Sequence, residues 1–293
     1  MKRVGVIGTG IMGGGMAEQL LRKGYPVMVW NRNAAKAQPL MALGAAGAAS
    51  PAELAAQSDV IIMVVRDDAA VREVVLGPAG ALSKARPGTT FINSSTVTPG
   101  LVQEVGAAVE ARGCAFFDAP VTGSKVAAAS GKLGFIVSGR PEVIEAQMDV
   151  LNALGQSVLN LGALGNSAIF KLANNQLAAT IIRAMGESLA LCEAAGLARD
   201  TVVESLAGTA QRVCGFKKDK IIQRDWSTDF ALDLMLKDLN QALETAGKIN
   251  VSMPLISASR DIYRRAFEAG RGGRDFAVVV EPLGPGEPGT AGR

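Results

Sequence analysis

The chain has 293 residues, 48% of them hydrophobic and 19% charged, with a formal net charge of +3. That balance suits a globular protein large enough for two domains, and the small, dispersed charge gives no case for nucleic acid or an anionic membrane as partner. There is no histidine, which removes histidine proton relays, Ser-His-Asp triads and nearly all zinc sites; no metal is expected, and acid–base work must fall to Lys, Asp, Glu, Tyr or Cys.

Val4-Gly5-Val6-Ile7 reads as a short buried strand. Gly8-Thr9-Gly10-Ile11-Met12-Gly13 follows, and residues 14–23 read as a helix with Met16, Ala17, Leu20 and Leu21 on one stripe. A strand, a G-x-G-x-x-G turn and a helix form the dinucleotide-binding context. Gly8 permits the tight turn, Gly10 lets the backbone approach a pyrophosphate, and Gly13 lets helix pack on strand. The helix N-terminus offers unpaired N–H groups to the phosphates. Gly8, Gly10, Ile11, Met12 and Gly13 are therefore candidate cofactor residues.

The second strand, residues 26–30, ends at Asn31-Arg32-Asn33. An acidic residue at this place grips the ribose 2′-hydroxyl of NAD. Asn31 does not repel a 2′-phosphate, and Arg32 can pair with one. The expected cofactor is NADP(H), with NAD(H) the alternative; the other reading of Arg32 is a solvated arginine at a strand end.

An alanine-rich helix over 34–43 and a short strand over 44–49 come next, then a helix opened by Ser50-Pro51-Ala52-Glu53. Residues 60–65 form an apolar strand expected at the sheet centre, which brings Val65 and Arg66 near the cofactor. After a helix over 69–76, strand 89–93 ends at Ser94-Ser95-Thr96. Those hydroxyls can bond a ribose or nicotinamide amide, or cap the helix that begins near Pro99. Strand 114–118 leads into Ala119-Pro120-Val121-Thr122-Gly123-Ser124, a loop able to hold a carboxylate through backbone N–H groups and hydroxyls, or an ordinary turn. Strand 134–139, a helix over 141–154 and strand 158–161 close the sheet.

From Ser167 to residue 276 nearly everything has helical period. Residues 167–195 read as one long helix ended by Gly196 and expected to bridge two domains; further helices are expected near 202–208, 216–222, 231–249 and 254–269. The expected fold class is α/β: an N-terminal Rossmann dinucleotide-binding domain over 1–163, then an all-α substrate and dimerisation domain over 164–281 joined by the long helix, with a disordered tail over 282–293. The scattered trio Cys114, Cys192 and Cys214 suggests reduced thiols in a cytoplasmic protein. With a strand starting at residue 4 no signal peptide is expected, and no apolar run has membrane-spanning length.

On the long helix, Lys171, Asn174 and Asn175 share one face at i, i+3 and i+4, flanked by Ile169, Phe170, Leu172, Ala173 and Leu177. The spacing alone leaves two readings: a solvated lysine, or a desolvated one with a lowered pKa acting as general acid beside amides that orient a substrate oxygen. Lys237-Asp238, inside another apolar helix, read as a surface ion pair or as groups near the site, and Trp226 and Phe230 as a pocket wall or as core.

Together and in this order, these motifs resemble those of the β-hydroxyacid dehydrogenases, which include 3-hydroxyisobutyrate dehydrogenases, tartronate semialdehyde reductases and glyoxylate/succinic semialdehyde reductases. The resemblance runs nearly end to end, through Gly8-x-Gly10-x-Met12-Gly13, Trp30-Asn31-Arg32, Ser94-Ser95-Thr96, Asp118 to Ser124, Lys171-x-x-Asn174-Asn175 and Lys237-Asp238-Leu239. It implies hydride transfer between a nicotinamide and a small substrate in a cleft between domains. Lys171 is then the proton donor, or the acceptor in the reverse sense. The loop Thr122-Gly123-Ser124 holds the substrate carboxylate, Asn175 and Asn174 position the substrate with Phe230 and Asp238 on the substrate side, and Thr96 and Lys237 contact the cofactor. Thr122 stands where Ser is common in the family, and Ser124 where a second Gly is common. Ser124-Lys125 looks more like the glyoxylate/succinic semialdehyde reductase branch, and the Asn-Arg strand end suits that branch's NADPH preference. The related imine reductases usually lack a lysine where Lys171 stands. The expected function is NADPH-dependent reduction of a short aldehyde acid, glyoxylate or succinic semialdehyde, by a cytoplasmic homodimer or homotetramer. The alternatives are an NAD(P)-dependent dehydrogenase of 3-hydroxyisobutyrate or a similar 3-hydroxy acid, a tartronate semialdehyde reductase, and a non-catalytic nucleotide-binding member, which would have lost Lys171.

Overall fold

A computed structural model describes residues 1–281. The tail expected from Pro282 lies outside the described residues. β1 (Val4–Ile7) leads through the glycine turn into α1 (Ile11–Arg22), followed by β2 (Val27–Trp30), α2 (Gln38–Ala42), β3 (Ala46–Gly47), α3 (Pro51–Gln57), β4 (Val60–Met63), α4 (Asp68–Leu76), β5 (Thr90–Asn93), α5 (Pro99–Glu110) and β6 (Ala115–Asp118). β7 (Val121–Thr122), α6 (Lys125–Ala129), β8 (Leu133–Gly139), α7 (Pro141–Glu145), α8 (Met148–Leu154) and β9 (Gly155–Asn160) complete the sheet region. The helical remainder is α9 (Asn166–Ala194), α10 (Arg199–Ala207), α11 (Thr209–Gln223), α12 (Leu232–Lys248) and α13 (Pro254–Ala266).

The strands β3-β2-β1-β4-β5-β6 are parallel neighbours in that order, the doubly wound arrangement of a dinucleotide-binding sheet. β8 adds antiparallel to β6 and to β7, and β9 pairs parallel with β8. Both sheet faces are buried, which is why the strands read as continuous apolar runs. Alternate residues of β4 feed two separate cores: Val60 and Ile62 join the one under α1 and α8, while Ile61 and Met63 join the one under α3, α4 and α5. The helices start where capping side chains allow, with Ser50 accepting the Glu53 N–H, Asp67 that of Ala70 and Thr98 that of Leu101.

The chain divides into two compact units, Met1–Asn175 and from Gln176 onward, and α9 carries the backbone from one to the other. In the second unit Leu232, Ala266 and Val278 form a small core packed by Trp226 and Tyr263. Asp275 is buried there: it pairs with Lys217 at 2.8 Å and also accepts the N–H groups of Asp229 and Phe230. Glu187, a buried carboxylate on α9, accepts the N–H groups of Leu255 and Ile256 at the start of α13.

Several elements differ from the sequence reading: the helix expected over 34–43 is α-helical only at Gln38–Ala42, the one expected over 216–222 runs from Thr209 to Gln223, and the short β7 lies inside the expected loop. The helix expected over 141–154 is two helices that part at Gln147, whose backbone leaves the helical region (φ −113°, ψ 9°) and whose buried side chain donates to Thr90 Oγ1 at 3.2 Å. Ser124 ends the loop by capping the short α6. β9 starts three residues before the expected strand, in a stretch that is mostly exposed and has no apolar alternation.

Candidate functional site

Because β1, β2, β4, β5 and β6 run parallel, their carboxyl ends fall on one edge of the sheet, where open α/β sheets bind ligands. The glycine turn leaves β1 there with Gly8 at φ +95°, and a Cβ on Gly8 would strike the Val64 carbonyl oxygen. A Cβ on Gly13 would strike the Gly8 carbonyl oxygen, so α1 and the strand end pack backbone to backbone. Gly10 differs: a Cβ there would meet nothing within 4 Å. Gly10 is also the N-cap of α1, with no side-chain cap and no acidic residue in the first turn. The turn therefore presents free space and uncapped N–H groups to an anion, which fits a dinucleotide pyrophosphate.

A cavity of about 660 Å³ opens beside this turn. Gly8, Gly10, Ile11, Met12 and Gly13 line it, with Asn31, Arg32 and Asn33 from the end of β2 and Val65 and Arg66 from the end of β4. All ten are residues singled out from the sequence for the cofactor. Asn31 acts on the turn directly, since its Oδ1 accepts the Thr9 N–H at 3.1 Å and its Nδ2 donates to the Asn33 carbonyl. Arg32 is exposed, and Arg66 is exposed with only a 3.9 Å approach to Asp67. The sequence reading missed Lys36, Trp30, Val64 and the α4 residues Ala69, Ala70 and Glu73, which also line the cavity. Lys36 carried a signal, a cation four residues after Arg32. The α4 residues carried none: Ala69 and Ala70 are small residues at a helix start like many others, and Glu73 reads as an ordinary charged position on a helix. Thr96, at the end of β5, is exposed and does not line this cavity.

The loop after β6 is shaped by Gly123, whose φ of +125° favours glycine. Thr122 Oγ1 donates to the Gly134 carbonyl at 3.3 Å, and Ser124 Oγ accepts the Ala127 N–H at 3.3 Å. Gly123 and Ser124 are exposed and Thr122 half-buried. At the root of the loop, Asp118 is fully buried and accepts hydrogen bonds from Asn93 Nδ2 at 2.7 Å and Ser167 Oγ at 2.5 Å. Burial pushes its carboxyl up to about 6, against the pull of those two bonds.

Lys171 stands one turn after Ser167 on α9 and is half-buried; burial holds its ammonium below the usual lysine range. The apolar neighbours expected to surround it do not: Ile169, Phe170, Leu172 and Leu177 are exposed. Asn174 is half-buried and Asn175 exposed. In the second unit Lys237 and Asp238 are exposed and pair with each other at 3.1 Å, while Phe230 lies edge-on to Phe276 at 6.0 Å. Among the described residues no cluster of His, Cys, Asp or Glu is arranged to hold a metal, and no helix is long and apolar enough to cross a membrane.

Residues 3–165 match the family described as the NAD binding domain of 6-phosphogluconate dehydrogenase, and residues 165–283 the one described as NAD-binding of NADP-dependent 3-hydroxyisobutyrate dehydrogenase. The chain belongs to the β-hydroxyacid dehydrogenase family. As a β-hydroxyacid dehydrogenase it is an NAD(P)-dependent oxidoreductase acting on hydroxyl and carbonyl groups. It is 33% identical to the 3-sulfolactaldehyde reductase of Escherichia coli, over 97% of this chain and 96% of that one. It is 31% identical to the chloroplastic glyoxylate/succinic semialdehyde reductase 2 of Arabidopsis thaliana, over 96% of this chain and 79% of that one. It is also 30% identical to the cytokine-like nuclear factor N-PAC of Homo sapiens, over 95% of this chain and 51% of that one. Among solved structures, a reductive aminase from Aspergillus terreus in complex with NADPH and ethyl levulinate matches with a TM-score of 0.85 at 26% identity, covering 96% of this chain and 98% of that one.

The buried Asp118 gives this β-hydroxyacid dehydrogenase a pH signature. An unfolded aspartate titrates near 3.8 and the folded one at about 6, so between those values the folded state binds more protons. The contribution of this group to stability therefore falls as pH rises through that window. Measured by urea unfolding, the stability of the native protein should fall relative to that of Asp118→Asn between about pH 4 and about pH 6; parallel curves would count against the raised carboxyl.

Proposed function

We propose that this β-hydroxyacid dehydrogenase reduces a short aldehyde acid to its hydroxy acid with NADPH, with glyoxylate and succinic semialdehyde as the leading substrates. The observation that carries the reading is Lys171: a half-buried amine with a lowered pKa, one turn beyond the Ser167 that is bonded to the strand end where the loop Thr122–Ser124 departs. Bound NADPH supplies the hydride. Lys171 gives its proton to the carbonyl oxygen, and its depressed pKa makes that transfer easier than for a solvated lysine. Backbone N–H groups of the loop Thr122, Gly123 and Ser124, with the Ser124 hydroxyl, which as a cap only accepts and so keeps its proton to donate, hold the substrate carboxylate, and Asn174 and Asn175 orient its oxygen. The two reductase relatives are both named for aldehydes that carry an acid group, which agrees with an anion-holding loop. The roles of Thr96, Phe230, Lys237 and Asp238 rest on the family motifs alone. Dehydrogenation of 3-hydroxyisobutyrate is the second reading, favoured by the description of the family matched over residues 165–283.

The test of the reaction is a panel of glyoxylate, succinic semialdehyde, tartronate semialdehyde and 3-hydroxyisobutyrate. Lys171→Ala should lower kcat by about a hundredfold or more on the best substrate, and the native reduction rate should fall as pH rises through the depressed lysine pKa. Normal turnover by Lys171→Ala would reject the assignment.

The preference for NADPH is argued from Asn31, which replaces a carboxylate, and from Arg32 and Lys36 at the cavity. The reductive aminase solved with NADPH agrees with it. Steady-state kinetics should give a higher kcat/KM with NADPH than with NADH on the same aldehyde, and Arg32→Ala should narrow the gap; a native preference for NADH would overturn it.

A homo-oligomer, dimer or tetramer, is supported by apolar side chains left open on α9 and α11, among them Ile182, Phe216 and Ile222. Light scattering behind size-exclusion chromatography at micromolar concentration should give a multiple of the 30.2 kDa chain mass; a monomer mass would remove this part of the proposal. The cytoplasm as its location follows from the unpaired cysteines alone.

A further inference from the structure

A buried hydrogen-bond network crosses the strand ends behind the cavity. Asp118 is its hub: Asn93 donates to one carboxylate oxygen and Ser167 to the other. Asn93 Oδ1 accepts the Ser95 N–H at 3.2 Å, and Ser95 Oγ accepts the N–H of Val65, a wall of the cavity, at 3.0 Å. On the other side Ser167 Oγ meets Ser138 Oγ at 2.6 Å, and Ser138 Oγ accepts the N–H groups of Gly165 and Ser167, both at 3.2 Å. Asn93, Asp118, Ser138 and Ser167 are all essentially without exposed surface.

A carboxylate so deep in the protein is costly, and an all-apolar packing would be the cheaper way to hold a strand to a helix. Its retention asks for a geometric reason. Hydrogen bonds to an ionised acceptor are short and strong and fix direction as well as distance. Ser167 lies in the first turn of α9, and Lys171, four residues on, lies on the same face. The side of α9 tied to Asp118 is thus the side that carries Lys171. Asp118 is also the last residue of β6, four before Thr122, so the same group anchors the root of the substrate loop.

We propose that Asp118 is a positioning residue: by gripping Ser167 and Asn93 together, its carboxylate sets where Lys171 stands relative to the loop Thr122–Ser124 and to the cavity wall at Val65. This rests on the reading of Lys171 as the proton donor. Asp118 exchanges no proton with the substrate and acts on the reaction only by holding the first turn of α9 against the strand ends.

The test uses the full-length protein and two variants. In Asp118→Asn an amide nitrogen is turned against the amide nitrogen of Asn93, two donors face to face, or else against Ser167. In the double variant Asp118→Asn with Asn93→Asp the donor and acceptor exchange strands. The new aspartate accepts from the new asparagine and from the Ser95 N–H, and the asparagine oxygen still accepts from Ser167. The readouts are kcat for NADPH-dependent reduction of the best aldehyde acid, and the NADPH dissociation constant from nicotinamide fluorescence. The single variant should lose about tenfold or more in kcat with NADPH affinity within about twofold, and the double variant should return to within about threefold of the native kcat. Native kcat in the single variant overturns the proposal. So does a loss in which NADPH affinity falls in step, or one that the double variant does not repair, because each of these is what a purely structural carboxylate predicts. Should Asp118→Asn be insoluble, Ser167→Ala, which deletes the link to α9 and leaves the Asn93 pair, is judged by the same kcat and affinity criteria. Normal turnover by Lys171→Ala brings down the reading of the site itself; an inactive Lys171→Ala beside an unimpaired Asp118→Asn brings down only the positioning role.

Discussion

The first unit depends on backbone meeting backbone at three points. Gly8 lies against the Val64 carbonyl, Gly13 lies against the Gly8 carbonyl, and the Gly8 N–H bonds to the Trp30 carbonyl at 2.8 Å. No side chain fits between β1, the start of α1 and the end of β4, so these segments can only sit as they do. That contact fixes where the helix N-terminus points and hence where an anion is held. The rest of the sheet is arranged outward from it in parallel register, and each further strand delivers its carboxyl end to the same edge.

The chemistry is spread along that edge by strand order rather than by sequence proximity. β1, β2 and β4 supply the residues that line the cavity, and in the proposed reading the loop after β6 takes the substrate anion and α9 brings the lysine. With no histidine in the chain, proton transfer has to be solved with a group whose ordinary pKa lies away from neutrality, and at Lys171 burial is what brings the amine down. Two titratable groups are displaced in opposite senses by the same physics: Lys171 downward and Asp118 upward, both chiefly because desolvation disfavours the charged form.

Much of this was legible in the sequence because the first unit obeys local rules. Apolar strands bounded by glycine and capped helices announced themselves, and ten of the twelve residues singled out for the cofactor line one cavity because they fall in short motifs at neighbouring strand ends, while Thr96 and Lys237 do not line it. What could not be read depends on distant partners. Gln147, where the expected helix parts in two, bonds to Thr90, fifty-seven positions away. The bond from Ser167 to Asp118 spans forty-nine, and neither serine nor aspartate announces a partner in another element. Lys171 was picked out for apolar neighbours along the helix that prove exposed; its desolvation comes from elsewhere in the fold, which periodicity does not report.

Asn31 has a consequence for the catalytic cycle. By accepting the Thr9 N–H and donating to the Asn33 carbonyl, it clamps the glycine turn to the end of the neighbouring strand. A turn tethered in this way loses less ordering entropy when a dinucleotide associates than an untethered one would. The tether thus lowers the entropic cost of seating the coenzyme anew at every turnover.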